Sequence, residues 1–244
     1  PQIMFYPHQQ NQAYWYNTEE PISFSDVKIR HAFIQKVYSI VSLQLLITVT
    51  ITALFVFLEP VKISFYSNIW ILWIALGGTL VILIVLVCCE SVSRKFPINI
   101  ILLMIFTVFE SILIGAISAV FNINTIFIAL GITSVVVIAL TIFAFQTKID
   151  FTGFGVYLFV FGIVLCAFGI VTLIYRSQIL NILYAASGAG LFSFYLIFDT
   201  QLMLGGHHKN SISPEDYVFG ALNIYVDIIN LFLFILRLVS AIEE

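Results

Sequence analysis

The sequence has very little charge. Asp, Glu, Lys and Arg make up 9% of its 244 residues, against roughly 25% in an average soluble domain. A soluble globule of this size needs charged residues on its exterior to stay dissolved. That shortage excludes an ordinary cytosolic enzyme, a nucleic-acid binder and a disordered scaffold. The net charge of −3 also supplies no basic field for nucleic acid. There are three cysteines, Cys88, Cys89 and Cys166. The count is odd and two are adjacent, so no disulfide framework is expected. They read as small apolar residues in helices, with palmitoylation of the Cys88–Cys89 pair near a helix end as the sharper alternative. All four histidines (His8, His31, His207, His208) lie in the tail or loops. This leaves Ser187 and Ser193 without an intramembrane base, and adjacent His207 and His208 lack zinc-ligand spacing. The glycines are not followed by the Lys-Ser/Thr of a phosphate loop. No repeated intramembrane Arg suggests a voltage sensor. The chain is not expected to be an enzyme, and no cofactor is implied.

What is present is apolar. Hydrophobic residues make up 61% of the chain and aromatics 16%, with a mean hydropathy of +1.09. Such a composition suits a polytopic membrane protein, with lipid in the place of water against its outer surface. Residues Pro1–Asp26 are polar and rich in Gln, Tyr, Asn and Pro, without apolar periodicity or a signal-peptide pattern. They are expected to be a disordered cytosolic tail. The chain begins at Pro1, so an upstream piece is expected. Residues 27–244 are expected to form one transmembrane domain.

Seven apolar runs are each near the length of about 20 residues that crosses a bilayer as a helix. They are Val37–Leu58, Ile69–Cys89, Ile98–Val120, Thr125–Phe145, Phe154–Tyr175, Leu180–Leu204 and Tyr217–Ser240. Breakers separate them at Glu59-Pro60, Lys95-Phe96-Pro97, Asn122 and Asn124, Asp150 to Gly153, and Gly205-Gly206 to Pro214. The runs do not alternate, which excludes a β-barrel. The predicted fold is therefore an all-α bundle of seven transmembrane helices. With the N-terminus in the cytosol, seven cationic residues (Lys28, Arg30, Lys36, Arg94, Lys95, Lys148, Lys209) fall on that side and three (Lys62, Arg176, Arg237) on the other. A re-entrant last segment would return the C-terminus to the cytosol; a full seventh span is favoured.

Three acids sit at membrane depth: Glu110, Asp199 and Asp227. A carboxylate there costs roughly 2.5–3.5 kcal/mol on insertion scales, so each is a site candidate by default. The plainer alternative is a structural polar contact, and for Glu110 it weighs equally. Asp199 lies roughly 7 Å and Asp227 roughly 15 Å from the loop that joins their helices. Both are on the same half of the membrane, where helix tilt lets them meet. Two carboxylates in a low dielectric cannot both ionise cheaply, so such a pair shares a proton and responds to pH. It also suits Ca²⁺, which prefers carboxylate and carbonyl oxygens. Asn223, Asp227 and Asn230 fall at i, i+4 and i+7 and form one polar stripe. The run Ala185-Ala186-Ser187-Gly188-Ala189-Gly190 allows a close helix approach.

These residues resemble a known family. The segments 198–206 (FDTQLMLGG), 211–219 (SISPEDYVF) and 221–232 (ALNIYVDIINLF) are similar to the C-terminal signature of the transmembrane BAX inhibitor motif family. The nearest branch is Lifeguard, which includes the glutamate-receptor-associated and Golgi anti-apoptotic types. Residues 29–38 (IRHAFIQKVY) and 146–152 (QTKIDFT) are similar to that branch too. The resemblance runs from Asp26 to Ser240. It implies a seven-helix fold with the last helix at the centre of the bundle. It also implies a pH-sensitive Ca²⁺ leak across an internal membrane, of the endoplasmic reticulum or Golgi, and protection against cell death. Asp199 and Asp227 match the family's pH-sensing pair. Glu215, after Ser213-Pro214, matches an acid linked to ion conduction. Arg94 is the nearest candidate for a basic partner of the gate. Gln35, where the branch is commonly basic, and His207-His208-Lys209-Asn210 depart from the pattern. Two further readings remain beside the leak: a non-conducting adaptor for BCL-2-family proteins or other channels, and a proton-coupled transporter.

Overall fold

The computed structural model describes residues 24–205 and 209–243. The greater part of the expected tail, together with Gly206, His207 and His208, lies outside the described residues. The helices are α1 (Phe24–Phe57), α2 (Glu59–Ser67), α3 (Trp70–Cys88), α4 (Glu90–Ser93), α5 (Ile98–Ser118), α6 (Ile123–Gln146), α7 (Gly155–Ile174), α8 (Gln178–Leu204) and α9 (Tyr217–Glu243). Single 3-10 turns at Thr152–Phe154 and Pro214–Asp216 precede α7 and α9. Among the described residues, seven helices are long and apolar enough to cross a membrane: α1, α3 and α5 to α9. Each satisfies its own backbone hydrogen bonds, which the hydrocarbon demands. Large apolar side chains such as Trp70, Trp73, Val135 and Phe159 face outward, where lipid replaces water.

Two boundaries differ from the sequence reading. Helix α1 starts at Phe24 rather than near Val37, so Lys28, Arg30 and Lys36 ride on the helix ahead of the expected span, and His31 lies on it too rather than in the tail or a loop. The break at Glu59-Pro60 is the start of α2. Proline is tolerated there because the first turn of a helix has no partner for its N–H. Phe65 of α2 packs edge-on against Phe55 of α1, with ring centres 4.3 Å apart.

The last helix settles the span question. Its 27 residues run unbroken, about 40 Å at 1.5 Å per residue, enough to cross without re-entering. It is also the axis of the bundle. In its most apolar stretch 67% of residues are buried, against 11–33% in the other spans. It packs against α8, α6, α1 and α5. The buried side chains Ala221, Leu222, Ile224, Tyr225, Leu231 and Leu236 form much of the core.

One end of the bundle is tied together by loop contacts. Arg30 of α1 donates to the carbonyls of Met203 (3.3 Å) and Ile212 (2.7 Å). Gly205 ends α8 at φ +58°, a conformation open to glycine without strain. The Arg30 guanidinium occupies the space that a side chain at Gly205 would need. Lys36 lies over the Tyr217 ring, 3.2 Å from its centre. Asn99 donates to Tyr217 Oη at 3.0 Å. Gln201 donates from Nε2 to the Ile149 carbonyl and accepts from the Phe151 N–H.

Candidate functional site

The site begins with close packing of α8 on α9. Ala185 and Gly188 are buried on the α8 face. A Cβ on Gly188 would overlap the Phe234 ring of α9, whereas one on Gly190 would meet open space. Only part of the small-residue run therefore serves the approach. Further along the same contact, Asp199 and Asp227 come together. Both are buried, with 6% and 4% exposure, and their carboxyl groups lie within hydrogen-bonding reach of each other. Asn223 donates from Nδ2 to Asp199 Oδ1 at 3.5 Å. Asp227 Oδ2 is buried without a hydrogen-bond donor.

Their depths along the two helices differ by about 8 Å. The loop between them absorbs this difference. Ile212 bonds back to the Leu202 carbonyl at 2.9 Å, and the turn at Pro214–Asp216 then starts α9 farther out than the point where α8 ends.

The remaining sequence-selected residues separate. Asn230 does not join the pair; its amide donates to the Val226 carbonyl at 2.9 Å, and it lines a cavity farther along α9. Glu215 is exposed on the turn before α9, where its backbone N–H meets Ser213 Oγ at 3.4 Å. Glu110 is half-buried on α5 and within electrostatic range of the Tyr225 hydroxyl. It makes no ion pair among the described residues. Arg94 does not face the pair, which corrects its assignment as the gate's counter-charge. It sits in the loop between α4 and α5 and holds Asp216 with two hydrogen bonds, Nε–Oδ1 at 2.7 Å and Nη2–Oδ2 at 3.0 Å. Glu90 is 3.7 Å from Nη1. These acids hold the Arg94 guanidinium even more firmly charged than usual, with Asp216 the main cause. The physical reason for the correction is position: Arg94 lies outside the spans, where Asp216 is the carboxylate that its planar fork can match.

Ser187 and Ser193 donate to carbonyls one turn back in their own helix, at 2.7 and 2.8 Å. No described group of three or more His, Cys, Asp or Glu residues is arranged to hold a metal. Cys88, Cys89 and Cys166 are free and exposed.

The comparisons follow the fold and the pair. The profile described as Inhibitor of apoptosis-promoting Bax1 matches residues 30–244. Protein lifeguard 3 of Mus musculus is 45% identical over 251 residues, spanning 97% of this chain and 80% of that protein. Protein lifeguard 3 of Homo sapiens is 47% identical over 224 residues, 90% of this chain and 72% of that protein. The chain belongs to the BAX inhibitor motif family. Within it, the likeness extends to protein lifeguard 4 of Mus musculus, 32% identical over 229 residues, with 94% and 93% covered. The family's name is anti-apoptotic, and this member of it is an integral membrane protein by its spans and its lifeguard relatives.

One polar cluster of this family member escaped the sequence reading. On the face of α9 away from α8, Tyr225 Oη bonds to Thr48 Oγ1 at 2.8 Å. Thr48 also meets Ser111 Oγ at 2.9 Å, and Gln44 donates to Thr107 Oγ1 at 2.8 Å. Phe106 packs edge-on against Tyr225, with ring centres 6.2 Å apart. A signal was available: Gln44/Thr48 and Thr107/Ser111 are both i, i+4 polar pairs inside apolar runs, the spacing that puts two side chains on one helix face.

Proposed function

We propose that this chain is a Ca²⁺-permeable leak path, gated by protons, across an endomembrane such as the endoplasmic reticulum or Golgi, and that it restrains cell death through store Ca²⁺. The observation that carries the reading is the buried Asp199–Asp227 contact with one carboxylate oxygen lacking a donor. A pair bridged by a shared proton holds α8 against α9 and keeps the path shut. A change in its protonation breaks the bridge and lets the helices part, because two bare carboxylates repel strongly in a low dielectric. Ca²⁺ is the cargo. Asp199, Asp227 and the Asn223 amide offer it hard oxygens, but fewer than the six to eight it takes when held firmly. This favours passage over storage. Asn230, Glu215 and Glu110 mark polar points that an open path would pass. No cofactor and no catalytic step belong to this reading. The cationic residues gathered at the end that carries Arg30, Arg94, Lys148 and Lys209 support a cytosolic N-terminus. The family name supports the anti-apoptotic role.

Ca²⁺ flux into liposomes holding the purified chain tests the proposal. Wild-type protein should conduct with a pH dependence that Asp199→Asn and Asp227→Asn each abolish. Unaltered pH dependence in both variants removes the gate assignment. Absence of flux, with cell protection retained, favours an adaptor of BCL-2-family proteins or other channels.

A further inference from the structure

At the end of α9 opposite the Arg94 loop, a cavity of about 450 Å³ opens between α5, α8 and α9. Its polar lining is Asn181, Tyr184, Asn230, Arg237 and Ser240, and no Asp or Glu lines it. Arg237 donates from Nη2 to Asn181 Oδ1 at 2.9 Å. Its guanidinium lies 4.6 Å from the centre of the Tyr184 ring. Among the described residues it has no carboxylate partner, in contrast to Arg94. A guanidinium carries five N–H donors, and a single hydrogen bond to Asn181 leaves most of them unused. An arginine set into a membrane-facing cavity without a counter-charge is costly, and that cost is relieved by an anion. The planar fork fits the oxygens of a phosphate better than it fits a spherical ion. Because Asn181 meets Arg237 through its oxygen, its NH₂ group remains to donate beside the guanidinium. The Ser240 hydroxyl adds another donor to the same cavity. Tyr184 and the apolar residues Leu233 and Phe234 complete its wall.

We infer that the Arg237–Asn181–Ser240 cavity is an anion site that takes a phosphate group, either the headgroup of an anionic phospholipid or free phosphate. The site is independent of the acid pair and holds whether or not the chain conducts Ca²⁺. The full chain is placed in nanodiscs of phosphatidylcholine, with and without phosphatidylglycerol, and its retained lipid is counted by native mass spectrometry. In a second arm, lipid-free protein in detergent is titrated with inorganic phosphate while thermal unfolding is followed. The wild type should retain phosphatidylglycerol about tenfold over phosphatidylcholine, the scale of one charge-assisted contact. Stabilisation by inorganic phosphate alone identifies the free anion as the source, and retention of the lipid alone identifies the headgroup. Arg237→Gln should abolish the preference. Asn181→Asp sets a carboxylate against the guanidinium and should abolish it in a protein whose fold keeps the Arg237 contact. A wild type that neither prefers phosphatidylglycerol nor gains stability with phosphate overturns the inference. So does either variant that folds and keeps the preference.

Discussion

Helix α9 presents two polar faces, and the bundle treats them in opposite ways. Toward α1 and α5 it shows the Tyr225 hydroxyl, held by Thr48 and through it by Ser111. Toward α8 it shows Asp227, which meets another acid and leaves one oxygen without a donor. The Tyr225, Thr48 and Ser111 hydroxyls of the first face are uncharged and bonded to one another, with the Glu110 carboxyl within electrostatic range, so this network holds helices together at fixed register. The second carries two titratable acids, and on the proposed reading its packing depends on how many protons it holds. Polar groups in the membrane serve as glue when neutral and paired; titratable ones short of donors are what the proposed switch requires.

The sharpest way to break this comparison is to neutralise the acid face. Asp227→Asn and Asp199→Asn should remove the pH dependence of Ca²⁺ flux, the largest effect expected. On the proposed reading, Ca²⁺ displaces the shared proton in the wild type. Its apparent affinity should therefore fall as pH is lowered, as measured by flux at graded Ca²⁺ concentrations, and the Asn variants should lose that trend. A middle-sized effect comes from the packing that brings the pair together. Gly188→Ala puts a methyl group into the Phe234 ring and should cost about 1–3 kcal/mol in unfolding experiments in detergent. A control at Gly190, where a Cβ meets open space, should cost far less.

A smaller effect tests the neutral face. Tyr225→Phe removes one hydroxyl from the network and should cost about 0.6 kcal/mol, the average for a hydrogen bond between membrane helices. Its pH profile of flux should match that of the wild type; a shifted profile would show that the two faces are coupled. The smallest effect is expected at Arg94. Arg94→Gln removes an exposed ion pair with Asp216 that salt screens. Thermal unfolding in high salt should match that of the wild type, and the pH profile should not move. A changed profile would return Arg94 to the gate.

Much of this molecule was readable along the chain. The seven spans emerged from continuous apolar runs, because lipid forces every segment that crosses it to be long and uniformly apolar. The acids stood out because carboxylates are rare at such depth. Other features were hidden for physical reasons. The helix at Glu59–Ser67 was masked by Pro60, which usually marks a break but is harmless in a first turn. The length of α1 was masked by the polarity of residues 24–36, which lie at one end of the bundle rather than in its apolar core. The Tyr225 network was masked because Thr and Ser in an apolar run are common and satisfy themselves on their own helix. Thr48, Thr107 and Ser111 do this as well as reaching across.

The sequence by itself determined that the chain crosses a membrane seven times, because hydrophobicity and length are properties of each segment alone. It also determined which residues carry charge at depth. Only the tertiary structure decided which of those charges meet. Asp199 and Asp227 come together because Gly188 and Ala185 admit α9 and the turn at Pro214–Asp216 offsets the two helices. Arg94 goes to Asp216, and Arg237 is left to line a cavity without an acid. Pairing depends on the distance between side chains on different helices, and that distance is fixed by packing and loop geometry, which no single segment encodes.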